Sequence, residues 1–117
     1  MYFRKKLDKN LYLKTNMDPK ILLGRVLQKM LDQGFSQYAN YNRFNYIRHN
    51  KNEIVVDREN GQPTKIKFSK ILIAIEGYTL NPEWYDCGPS KLRALGLTHI
   101  TSPIHSMLHL LTKNDYC

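Results

Sequence analysis

Two of the four histidines in this 117-residue chain, His105 and His109, stand four residues apart. On a helix that spacing puts both rings on one face, where two imidazoles can reach a single metal ion. The zinc-hydrolase version of the pattern needs a Glu directly after the first His, and Ser106 stands there. Neighbouring sequence supplies no third ligand beyond His99, so Asp86 or Cys87 would have to close the set in space. Histidines on amphipathic helices are more commonly surface or packing residues. The expectation is therefore no metal and no cofactor, with His105 and His109 as the candidate ligands should one bind.

Carboxylates offer a second chemistry, since metal-dependent phosphodiester hydrolysis needs clustered acids to hold Mg²⁺. Asp57, Glu59 and Lys65 give an acid, acid, lysine layout on adjacent strands. The layout is incomplete, because Lys65-Ile66-Lys67 has Lys where the carboxylate–x–lysine pair needs its acid. The chain contains no Walker loop, dinucleotide fingerprint or nucleophile elbow, which removes nucleotide-driven and hydrolase-fold readings. A non-enzymatic role is the expectation.

A third pattern lies between Gln33 and Asn52, a stretch without a single acid. It carries Arg43, Arg48 and Lys51 interleaved with Phe35, Tyr38, Tyr41, Phe44 and Tyr46 and with the amides of Asn40, Asn42, Asn45 and Asn50. Rings can stack on bases while cations neutralise phosphates, so this composition suits a nucleic-acid surface. The plainer explanation is that the rings alternate into a core and the polar residues solvate the other face.

Whole-chain charge points the same way. The sequence has 18 Lys and Arg against 10 Asp and Glu, a net +8. Residues 1–58 hold 12 of those cations and 5 acids; residues 59–117 hold 6 and 5. The basicity is thus concentrated in the first half, in an arm with Arg4, Lys5, Lys6 and Lys9 and in the acid-free run. The candidate nucleic-acid contacts are those four residues, Tyr38, Tyr41, Arg43, Arg48, Lys51 and Arg58, joined by Lys65 and Lys67 on the next strand. Charge alone also attracts an acidic protein.

The elements that must position these residues read as a single α+β domain. Its length falls in the usual one-domain range, and about two-thirds of the unfolded surface can be buried at this size. Residues 1–17 read as a basic arm, 18–113 as the domain and 114–117 as a frayed tail. Asp18-Pro19 opens an N-terminal helix with apolar residues at helical spacing, and Gly34 stops it. From Phe44 the period changes to two, with Phe44, Tyr46 and Arg48 on one face and Asn45, Ile47 and His49 on the other. Glu53–Asp57 and Thr64–Phe68 follow as strands, with Asn60-Gly61 as the hairpin turn between them. A three-stranded antiparallel meander results. Ser69 is the expected cap of a second helix, with Phe68 and Ile73 at staple spacing. Trp84 and Tyr85 sit in a loop that anchors on the core or walls a small pocket with Tyr78. Two further helices, a short one from about residue 89 and a last one from Thr101-Ser102-Pro103, complete the chain. The last helix is too apolar to be a recognition helix and reads as a core or dimer helix.

No apolar run approaches the ~20 residues of a membrane span, no apolar h-region follows the basic N-terminus, and Cys87 and Cys117 form no redox or metal spacing. A cytoplasmic protein is expected. The leading expectation is a small non-enzymatic nucleic-acid-binding protein using phosphate contacts from residues 1–58. The alternatives are a protein-interaction or regulatory module docking an acidic partner, with its apolar helices 69–78 and 103–111 as either a homodimer seam or a docking groove, and a metal-dependent nuclease-like enzyme.

Overall fold

The computed structural model describes residues 18–58 and 61–117; Arg4, Lys5, Lys6, Lys9, Glu59 and Asn60 lie outside them. Helix α1 (Pro19–Gln33) begins where its chemistry dictates: the Asp18 carboxylate accepts from the Lys20 N–H at 2.8 Å, and Pro19 occupies the first helical position. Gly34 ends it in the left-handed region (φ 85°), its N–H donating to the Met30 carbonyl at 2.7 Å, a conformation other residues enter at a cost. Leu22, Leu23, Val26 and Met30 are the buried stripe, while Ile21 and Leu31 face outward.

Four strands follow, β1 (Phe35–Ser36), β2 (Phe44–His49), β3 (Glu53–Arg58) and β4 (Thr64–Lys67), antiparallel in the order β1-β2-β3-β4. The expected meander is β2 to β4. β1 adds a fourth strand of two residues, Phe35 opposite Asn45 and Ser36 opposite Phe44, too short for any alternation to be read in advance. The β2–β3 turn is built by Asn50, whose side-chain oxygen accepts from the N–H groups of Asn52 (2.7 Å) and Glu53 (3.0 Å).

The faces of β2 differ from the simple alternation. Tyr46 opposes Val56 but Arg48 opposes Val55, so Ile47 is an extra residue in a β-bulge. Residues opposite one another share a face. Phe44, Tyr46 and His49 therefore lie on the helix-covered side with Ile54, Val56 and Ile66, and Arg48 lies on the outer side with Asn45 and Val55. Arg58, opposite Phe44, belongs to the covered side; its guanidinium lies 5.6 Å from the Phe44 ring centre.

Helix α2 (Phe68–Leu80) starts without a side-chain cap, its half-turned flanking residue being Lys67. Ser69 falls inside the first turn and does not cap it, because the Phe68 N–H still bonds the Asn52 carbonyl at 2.8 Å and ends the strand there. A 3₁₀ turn (Pro82–Asp86) brings Trp84 against Gly77 and hangs Tyr85 by its hydroxyl on the Leu111 carbonyl at 2.7 Å. These rings anchor the loop on the core. Helices α3 (Ser90–Arg93), α4 (Thr101–Leu108) and α5 (Lys113–Tyr116) complete the chain.

Ile71, Ala74, Ile75 and Tyr78 of α2 meet the α1 stripe, the covered face of the sheet and Ile104, Met107 and Leu108 of α4 in one core. Seven of the eight residues of α4 are buried, so its apolar side is used within the chain and is no dimer seam. Residues 114–117 are not a frayed tail. Thr112 and Asp115 form a reciprocal capping box, and buried Tyr116 donates its hydroxyl to the Leu108 carbonyl. Among the described residues no helix is long and apolar enough to cross a membrane.

Candidate nucleic-acid interface

The outer face of the sheet collects cations from β2 and β4, on either side of β3. Arg43, just before β2, lays its guanidinium over the Phe35 ring, 3.7 Å from the ring centre. Its Nε donates to the Asn45 side-chain oxygen at 3.3 Å, and the Asn45 amide donates to Asp57 at 3.2 Å. The stack and the hydrogen bond fix one edge of the guanidinium and leave its terminal nitrogens for an outside acceptor. A planar, weakly hydrated guanidinium is the cation suited to such stacking.

Further along, Arg48, Val55 and Lys65 stand opposite one another on β2, β3 and β4. Strand spacing puts the first and third backbones about 10 Å apart. Arg48 and Lys65 are exposed and Val55 between them is buried. Lys67 opposes Glu53 one pair on. Lys51, Asn52, Glu53, Lys67, Phe68 and Ser69 line an open groove of about 440 Å³ beside the first turn of α2. Among the described residues the ion pairs are Arg25–Asp115 (3.6 Å) and Lys113–Asp86 (2.6 Å). Neither uses a cation of the outer face, so Arg43, Arg48, Lys65 and Lys67 keep their charge available, against Asp57 and Glu53.

Tyr38 and Tyr41 are elsewhere. Their rings stack on each other with centres 6.1 Å apart and pack on α4: Tyr38 lies 4.1 Å from the His109 ring, and both meet His105 edge-on at 5.4 and 5.5 Å. Tyr38 is half-buried and Tyr41 about half exposed. The twelve contact candidates thus divide. Arg43, Arg48, Lys65 and Lys67 share one face with Lys51 at its end; Arg58 and the tyrosines do not share it; four lie outside the described residues. Sequence reasoning missed Phe35 and Asn45 as the supports of Arg43, because that contact crosses from β1 to β2.

His105 and His109 share a side of α4, their ring centres 4.4 Å apart. Both nitrogens of His109 face carbonyls, Nδ1 that of His105 at 2.7 Å and Nε2 that of Tyr85 at 2.9 Å; a neutral ring donates to one of them, and the carbonyl facing the other nitrogen stands where a metal would have to sit. His105 is buried, and that burial, with His109 beside it, lowers its pKa to about 4. Burial raises the Tyr78, Tyr85 and Tyr116 hydroxyls, so these stay protonated. Among the described residues no three His, Cys, Asp or Glu side chains come together in a ligand set. Asp57 is tied to Asn45 on the outer face and does not oppose Lys65, whose partner is Val55.

No protein-family model matches the chain, and no curated protein or solved structure is significantly similar to it.

Proposed function

We propose that this protein binds nucleic acid without chemistry, through phosphate contacts made by the outer face of its sheet. The observation that supports the reading is the group of cations without an ion pair among the described residues, Arg43, Arg48, Lys65 and Lys67, carried at β2 and β4 on either side of β3, with one guanidinium braced on Phe35. Lys51 extends the surface, and Arg4, Lys5, Lys6 and Lys9 add charge from the arm. Such contacts position a polyanion without reading its bases. The rings play little part in this: one face of Phe35 is covered by Arg43 and Tyr38 is packed on His109, so binding is tolerant of sequence. Two exposed free thiols, Cys87 and Cys117, suit a reducing compartment such as the cytoplasm.

Release of counterions makes the affinity fall with salt, by a slope of about −0.9 in log K per phosphate contacted on a duplex. Four outer-face contacts give a slope of about −3.6 by that rule, steeper if the arm joins. Titration of labelled duplex DNA and single-stranded RNA at 50 and 200 mM salt measures it. Absence of binding to either at the lower salt refutes the proposal. Binding of an acidic peptide with the same salt slope, and of neither nucleic acid, favours an acidic protein partner on the same face.

A further inference from the structure

His105 is 2% exposed, and its Nε2 has no hydrogen-bond partner among the described residues. Buried polar atoms are nearly always satisfied by protein or by a bound molecule, and an exception needs an explanation. The ring is packed edge-on against Tyr38 and Tyr41 and flanked by His109. Beside it lies a small cavity of about 40 Å³, lined by Tyr41, Asn42, Pro89, Ser102 and His105. A water needs about 10–15 Å³ of such space. The cavity is therefore large enough for one to about three non-hydrogen atoms, and its wall carries an amide and two hydroxyls besides the imidazole.

We propose that this cavity is a binding site for a single small O–H or N–H donor, a water or a solute of that size such as a short amine or alcohol, held by the Nε2 lone pair of His105. The chemistry of the walls selects the class. An anion would call for an imidazolium, which burial and the neighbouring His109 disfavour. A metal ion would find one nitrogen and otherwise only neutral oxygen groups, since both nitrogens of His109 are covered by backbone carbonyls. The proposal requires the tautomer with its proton on Nδ1, which presents one acceptor at Nε2; a donor of one to three heavy atoms completes it with Asn42 or Ser102 as second partner. Nothing in the phosphate-binding reading requires this site, which is built on α4 and the β1–β2 loop.

Nitrogen-15 NMR of the histidine-labelled full chain at pH 7 tests it. The expected spectrum has an unprotonated, hydrogen-bonded Nε2 at His105. A cross-peak from that ring to water identifies water as the occupant; a saturable shift on adding methylammonium or methanol identifies a solute that displaces it. Ser102→Val, which fills the cavity from its rim, is expected to abolish either signal while circular dichroism stays unchanged. Should that variant fail to fold, Asn42→Leu blocks the site from an exposed position. A His105 Nε2 with the shift of a free, unbonded nitrogen, no water contact and no response to either solute overturns the proposal.

Discussion

Protonation of His105 is one route by which acid should destabilise this fold. In the unfolded chain His105 takes up a proton with a midpoint near 6.5, whereas in the folded chain burial and the adjacent His109 hold its pKa down to about 4. As the pH falls below 6.5 the unfolded state gains a proton that the folded state does not bind, so stability is lost until the pH reaches about 4 and then stops changing on this account. The interval is about 2.5 units at 1.36 kcal/mol per unit, or ~3 kcal/mol. That is a large share of the 5–15 kcal/mol typical of a domain. Carboxylates titrate in the same range, and His109 is packed against the ring along with Tyr38 and Tyr41. The measurement is therefore a difference: urea unfolding of wild type and His105→Phe, followed by Trp84 fluorescence at pH 7, 6, 5 and 4. Phenylalanine keeps a ring against the two tyrosines and cannot take up a proton. Wild type should lose about 3 kcal/mol more than the variant across the series. Parallel pH curves for the two proteins would refute the reasoning.

Gly77→Ala would put a methyl group 2.8 Å from the Trp84 ring; a net loss of about 1–2 kcal/mol is expected after the gain in helix propensity, read by thermal unfolding together with a shift in Trp84 emission. Arg48→Ala and Lys65→Ala should each flatten the salt dependence of nucleic-acid binding by about one unit of slope while changing stability by less than about 0.5 kcal/mol; unchanged slopes would remove the outer face from the interface. Arg43→Lys should not restore the binding lost in Arg43→Ala, because an ammonium neither stacks flat on Phe35 nor donates from a fixed fork. Tyr116→Phe removes the hydroxyl that bonds the Leu108 carbonyl and should cost about 1 kcal/mol in chemical denaturation.

Local chemistry was legible at α1 and along most of the sheet, though not at Ser69, which does not cap α2, nor at the Thr112–Asp115 capping box. Asp18, Pro19 and Gly34 delimit α1 by groups within a few residues of one another, and the strands from Phe44 to Lys67 follow from alternation and turn residues. What else was not legible depends on contacts far apart in the chain. β1 exists because Gly34 turns Phe35 alongside Asn45, and Ser36 is held from beyond by the Ser106 hydroxyl at 2.8 Å. The Thr112-x-x-Asp115 capping signal was present at the C-terminus, but the anchoring role of Tyr116 depends on a carbonyl eight residues back. In the candidate site, the residue types were readable and their division between two surfaces was not. Tyr38 and Tyr41 look like partners of Arg43 and Arg48 in the acid-free run, yet the β1–β2 loop carries them onto α4.

The Ile47 bulge ties the fold to the surface charge. Strict alternation along β2 would send Arg48 to the same side as Phe44 and Tyr46 and take it off the outer face. The alternative register, with Arg48 outward and no bulge, would expel Phe44 and Tyr46 from the core side, since a slip of one residue inverts every side chain. One extra residue resolves the conflict: Phe44 and Tyr46 stay inward, Ile47 is left 37% exposed at the irregularity, and Arg48 emerges opposite Val55. His49 then follows on the inner side, where its Nδ1 meets the Tyr46 hydroxyl at 2.8 Å. The row of Arg48 and Lys65 over Val55 is thus a consequence of keeping the aromatic side of β2 buried. Core packing, and not the charge pattern alone, determines where this chain presents its cations.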